Sequence, residues 1–101
     1  MAKRRDRTNR FSVADLISCK LDDGYSFYYI TYQDSTTPVL AGNICEAFGV
    51  LRLWLGIAPG VEMGYEDGSC AVVEITDTPP ANFIMFTGRR HGNAIASLIS
   101  I

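Results

Sequence analysis

The 101-residue chain has little of what catalytic and metal centres are built from. His91 is its only histidine, and its three cysteines (Cys19, Cys45 and Cys70) are widely spaced, with no C-x-x-C pair among them. It also has no G-x-G-x-x-G run and no G-K-[ST] sequence, the glycine-rich signatures of phosphate-binding loops. These absences count against a zinc site, a disulfide framework and a nucleotide-binding loop. We therefore expect no metal and no cofactor, and the sequence gives catalysis little support.

Each cysteine lies in an apolar stretch that is typical of a strand or a helix. We expect buried structural thiols there, because reactive thiols need a polar, partly exposed setting. A Cys–His pair with His91 is accordingly not favoured.

Long uninterrupted apolar runs are also missing. Asp15 and Lys20 interrupt the stretch that follows the basic start, so it does not resemble the apolar core of a signal peptide. The longest apolar tract, 39–58, contains an asparagine, a glutamate and an arginine, which makes it too polar for a membrane span. We expect a cytoplasmic protein that does not enter a membrane.

Positive charge is concentrated in the first ten residues. They carry five cations against one carboxylate, a balance of +4, whereas residues 11–101 carry four cations against ten carboxylates, a balance of −6. A segment this basic has too little apolar content to pack, so the sequence predicts a flexible arm over 1–10 and a single domain over 11–101. The arm either contacts a nucleic-acid backbone or serves as a solubilising leader. Its cations are Lys3, Arg4, Arg5, Arg7 and Arg10.

Two Asp-Gly pairs, at 23–24 and 67–68, mark the expected turns. Each precedes a β-rich run, and Asp-Gly is the strongest short-range signal for a β-hairpin because both residues tolerate positive φ. The pattern predicts hairpins at about 16–33 and 60–76.

The start of the domain has a competing interpretation. Ser12 and Asp15 have the spacing of a capping box, which indicates a helical turn or two over 12–17 before the first strand.

The main helix is predicted at about 43–55. Asn43 is a good N-cap, and Gly56 supplies the stop. Apolar residues cover much of its circumference, so the helix either lies sandwiched within the fold or faces a partner.

The C-terminal part is ambiguous. Residues 83–87 have the composition of a strand, whereas 94–101 fit two structures. One is a helix capped by Asn93, and the other is a strand with Ile95, Ile99 and Ile101 on one face.

The fold class that these elements predict is α+β. We expect an antiparallel sheet of about four to five strands built from two β-hairpins, with the main helix and the possible C-terminal helix packed on one face.

The stretch "TGRRHGN", residues 87–93, is the best candidate for an anion site. If Asn93 begins a helix, the free amides of its first turn lie beside Arg89, Arg90 and His91, an arrangement that suits phosphate or carboxylate. The plainer interpretation is a polar reverse turn whose arginines keep the tip soluble.

Aromatic residues are concentrated in "YSFYYITY", residues 25–32. In a strand, Tyr28 and Tyr32 face one way while Tyr25, Phe27 and Tyr29 face the other. The strand is either packed on both sides, or presents one face to a protein partner or to bases. The acidic domain disfavours nucleic acid on this face.

Three functional hypotheses follow. The leading one is a small non-catalytic protein-interaction or accessory module that self-associates, as a homodimer, or that binds another protein. Tyrosine and tryptophan are enriched in interface cores, so its expected interface residues are Trp54, Leu53, Tyr28 and Tyr32. The second is an anion or small-ligand binder, with or without catalysis, that uses the loop 88–93. The third is a nucleic-acid-associated factor that uses the basic arm.

Overall fold

The structure, a computed structural model, describes residues 12–58, 60–63 and 71–101. These residues form an α+β fold of two helices and five strands. In chain order the elements are α1 (Val13–Asp22), β1 (Ser26–Tyr32), β2 (Ser35–Ala41), α2 (Ile44–Leu55), β3 (Ala71–Thr76), β4 (Asn82–Arg90) and β5 (Asn93–Ser100).

The five strands form one mixed sheet in the order β3-β1-β2-β4-β5. Neighbouring strands are antiparallel except β2 and β4, which are parallel where Val39 lies opposite Ile84. The expectation of a purely antiparallel sheet from two predicted hairpins is therefore only partly met. The parallel pair arises because the chain leaves β2 through α2 and adds β3 at the far edge before it returns as β4.

The first predicted hairpin, at 16–33, does not form. The competing prediction of a helical turn or two over 12–17 is confirmed. Ser12 accepts a hydrogen bond from the Asp15 amide, while the Asp15 carboxylate accepts one from the Ser12 amide. This capping box starts α1, which runs for ten residues. Asp23 caps its C-terminus, and Gly24 follows with a φ of +91°, the left-handed conformation that commonly ends a helix.

The real first hairpin is β1–β2. Its two-residue turn is Gln33-Asp34, with φ of +52° and +67°. Positive φ at both turn residues is the type I′ geometry that matches the twist of the flanking strands. Of the second predicted hairpin, at 60–76, the structure shows a strand only in β3, whose partner is β1; residues 60–63 are not in a strand, and 64–70 lie outside the described part.

The main helix is confirmed with its caps. Asn43 accepts a hydrogen bond from the Glu46 amide at 2.8 Å, and Gly56 ends α2 in the left-handed conformation. Its buried residues are Ala47, Phe48, Val50 and Leu51.

The two helices pack on opposite faces of the sheet. The prediction of the main helix and a C-terminal helix together on one face is wrong, since the second helix is α1 and lies on the other face. On the first face, Ile17 of α1 packs with Phe27, Leu40, Phe83 and Met85. On the second face, α2 packs on the residues that alternate with these along the strands, among them Tyr28, Ile30, Val39 and Ile84. The alternation of the tyrosines in β1 is thus confirmed, and the strand is packed on both sides.

The prediction of a C-terminal helix is wrong, and the alternative prediction of a strand over 94–101 is confirmed. β5 pairs antiparallel with β4 along its length, from Arg90 opposite Asn93 to Asn82 opposite Ser100. The connecting turn is His91-Gly92, with φ of +52° and +82°, and a bulge at Thr87 shifts the register. Tight pairing of this kind leaves no room for the helix that Asn93 could have capped.

Candidate functional site

The predicted anion site lies at the tip of the β4–β5 hairpin. Arg89, Arg90, His91 and Asn93 are all exposed. Because Asn93 begins a strand, the helix N-terminus that the anion cradle required is absent from the described structure. Arg89 donates a hydrogen bond to the Gly92 carbonyl at 3.3 Å, which folds its side chain back over the turn.

The two arginines point to different sides of the sheet, because neighbouring residues in a strand alternate. Arg89 lies opposite Ala94 and Arg90 opposite Asn93. They do not converge on one ligand atom. Charge is nevertheless segregated here, since residues 78–101 contain these two arginines and His91 but no aspartate or glutamate.

The interface residues predicted from the sequence fall into two groups. Trp54 and Leu53 are exposed at the C-terminal end of α2. Tyr28, by contrast, is only 7% exposed and lies in the core beneath α2, and Tyr32 is half-buried beside that core. The first pair is available to a partner and Tyr28 is not.

Four large apolar side chains at the end of α2 and in the loop after it are exposed, and together we call them the α2-end patch. They are 42–48% exposed and comprise Leu53, Trp54, Leu55 and Val61. Leu51 is the last buried residue of α2; Arg52 is half-buried, and residues 53–55 are exposed.

Arg52 holds the patch together. Its guanidinium donates to the carbonyls of Ala58 and Val61, and its own carbonyl accepts from the Ile57 amide at 2.9 Å. Met63, which is fully buried in the core beneath α2, anchors the far end of this loop. The loop is thereby tied to the helix at Arg52, which holds the backbone of Val61 near the end of α2. Sequence reasoning missed Val61, because nothing local signals that fold-back.

The sheet has two edges of different character. The β3 edge is six residues long and carries Glu74 at an exposed position near its middle. The β5 edge is eight residues long, and no charged residue lies within it. Leu98, 51% exposed, faces the α2 side because it lies opposite Ile84. The sequence did not identify this edge, because residues 94–101 fitted both a helix and a strand. The absence of charged residues from 94–101 was a signal for an unprotected strand.

The chain matches no protein-family model, and no curated protein or solved structure is significantly similar to it. The function must therefore be argued from its own surfaces.

The remaining features are less specific. Cys19 and Cys45 are exposed and free, which corrects the expectation that they are buried; Cys70 lies outside the described residues. Within 12–58, 60–63 and 71–101, no three side chains of metal-ligating type come together. None of the helices in that part is long and apolar enough to cross a membrane.

The basic arm also lies outside the described residues, so its contact with a nucleic-acid backbone stays a prediction for Lys3, Arg4, Arg5, Arg7 and Arg10. Beside α1, an open apolar groove of about 680 Å³ runs between Ile17 and Leu21 on one side and Pro79 and Pro80 on the other.

Proposed function

We propose that this protein is a non-catalytic interaction module that self-associates as a homodimer, with the α2-end patch in its interface. The observation that carries the proposal is the exposure of Leu53, Trp54 and Leu55 in succession on a well-capped helix. Groups of exposed large apolar side chains commonly mark sites of association.

The free energy to be gained by burying these side chains favours an interface over incidental exposure. Complete burial of one leucine-sized side chain contributes about 1.5–3 kcal/mol relative to exposure, and burial of tryptophan contributes a large share of many interfaces. The backbone that carries the patch residues is held in place by the helix cap and by Arg52. Association therefore costs little additional ordering of the backbone.

The replacement Trp54→Ala tests the proposal. Trp54 is the only tryptophan and lies within the patch, so its truncation is expected to weaken the homodimer by roughly tenfold or more in Kd. Sedimentation velocity over a concentration series measures that constant. The matched control is Ile75→Ala, which removes an apolar side chain that is 60% exposed on β3, away from the patch. Equal dimer constants for the wild type and Trp54→Ala would count against the patch.

A second candidate function is anion binding at the hairpin tip, which the charge segregation of residues 78–101 favours. Two exposed guanidinium groups with no nearby carboxylate in the same segment attract phosphate-rich ligands, although their opposite orientation suits an extended polyanion better than a single phosphate.

Inorganic tripolyphosphate is a direct probe of that candidate. At low salt it is expected to raise the melting temperature of the wild type, and Arg90→Ala is expected to remove most of the increase. Lys20→Ala is the control, because Lys20 lies on α1 with its ammonium 4.7 Å from the centre of the Tyr25 ring. An unchanged melting temperature in the wild type would dismiss the anion site.

A further inference from the structure

We propose that β5 is the strand through which two copies join, with β5 of one copy antiparallel to β5 of the other. The two five-stranded sheets then continue as one sheet of ten strands. This inference rests on the proposed self-association and names where the copies meet.

The outer edge of β5 is unprotected against pairing with another strand. An edge strand presents a row of unpaired N–H and C=O groups, and soluble proteins block such rows with charged side chains, prolines, bulges or very short strands. The β3 edge has Glu74 in its middle and is short. β5 has no charged side chain and no proline over eight residues, and its outer edge pairs with no other described strand. The bulge at this side of the sheet is in β4 and leaves β5 regular.

The charges of the β4–β5 hairpin determine the direction in which two β5 strands pair. The cations of this hairpin, Arg89 and Arg90, lie at the N-terminal end of β5. Parallel pairing of two β5 strands would place the two pairs of arginines side by side, which is unfavourable for like charges. Antiparallel pairing places them at opposite ends of the shared strand pair, about 27 Å apart for eight residues in register. The charge pattern thus selects the antiparallel arrangement.

Antiparallel pairing of β5 also brings the α2 helices of the two copies together. α2 contacts β2, β4 and β5, so it lies over the β5 half of the sheet. A Cβ added at Gly49 would stand 3.8 Å from the Phe86 ring of β4, which places the helix close above that strand. A two-fold axis normal to the sheet keeps both helices on the same face, about 14 Å apart if each is centred over β4.

A separation of 14 Å exceeds the 8–10 Å of directly packed helices, so large side chains must fill the space between them. Leu98 of each copy lies in the floor of that space, on the α2 side of β5. We expect the exposed apolar residues of the α2-end patch to contribute further packing on this face, so that strand pairing and the patch belong to one interface.

The replacement Leu98→Lys tests the inference, with Ile75→Lys as its control. Both residues are exposed, at 51% and 60%, both lie on edge strands, and both face the α2 side. Lysine is a natural blocker of edge pairing. Leu98→Lys is expected to convert the dimer to a monomer over a range of at least a hundredfold in concentration, whereas Ile75→Lys stays dimeric. Sedimentation velocity gives the masses, and circular dichroism verifies that each variant is folded.

The outcomes separate the two proposals. If Leu98→Lys stays dimeric while Trp54→Ala dissociates, β5 pairing is overturned and the proposed function stands. If the wild type is monomeric at every concentration, both are overturned. If both lysine variants dissociate, the assignment to β5 is overturned because the effect is not specific to that edge.

Hydrogen exchange of the wild type provides a test that needs no variant. Backbone amides that point outward from β5 are expected to gain at least tenfold protection between dilute and concentrated samples, since pairing buries them. The β3 amides on the opposite edge are expected to show no such dependence. Exchange in β5 that is independent of concentration would overturn the inference.

Discussion

Phe83→Ala is expected to lower the free energy of unfolding by about 3–5 kcal/mol, the largest effect of any single truncation considered for this protein. Phe83 has no exposed surface and is part of the core between α1 and the sheet. Its ring meets that of Phe27 edge to face, with centroids 5.2 Å apart and an interplanar angle of 72°. Truncation removes this contact, worth about 0.5–1.5 kcal/mol beyond area burial, and leaves a cavity beneath α1.

The measurement is urea-induced unfolding monitored by circular dichroism. Phe83→Leu is the control, because it preserves most of the volume and is expected to cost less than about 1.5 kcal/mol. A loss below about 1 kcal/mol for Phe83→Ala would mean that α1 does not depend on this core, and the description of the α1 face would be wrong.

Leu51→Ala is expected to lower the free energy of unfolding by about 2–5 kcal/mol, whereas Leu53→Ala changes it by less than about 0.5 kcal/mol. The two leucines lie two residues apart on α2, yet Leu51 is fully buried and Leu53 is part of the α2-end patch. The pair therefore isolates burial from helix propensity, since both replacements are leucine to alanine in one helix.

Urea unfolding at a concentration low enough to populate the monomer measures both, because a dimer adds concentration-dependent stability. At high concentration, the proposed dimer through the α2-end patch predicts that the Leu53→Ala difference grows. Equal losses for both variants in the monomer would contradict the position that the structure gives to Leu53.

The main helix was predictable because its signals are local and agree with each other. Asn43 and Gly56 bound the helix, and the apolar pattern between them has helical spacing. Likewise, the alternation in "YSFYYITY" correctly predicted which aromatic side chains share a face. Both features depend on residues within one element, which a sequence displays directly.

The first hairpin was mispredicted because one local signal has two structural uses. Positive φ at Asp-Gly suits a type I′ turn, but it equally suits the end of a helix, as at Gly24. The capping box at Ser12 decided between them, and the turn that does form, Gln33-Asp34, contains no glycine. The placement of the helices on opposite faces depends on long-range packing, which no short window reports.

The candidate interaction surface was predictable only in part. Trp54 and Leu53 were identified by residue type, and the structure leaves both exposed. Tyr28 was identified by the same reasoning and is buried, because β1 lies inside the sheet and is packed on both faces. Residue type indicates what a side chain contributes to an interface, and only the packing determines which side chains remain accessible.

The placement of α1 and α2 on opposite faces of the sheet has a consequence for valency. In a dimer joined through β5, both α2 helices are occupied on one face, and both α1 helices remain free on the other. Each α1 begins at Val13, so both α1 N-termini belong to that free face of the proposed dimer. A partner that binds one α1 face would hold the second at a high effective concentration, so that two weak contacts add up to avidity.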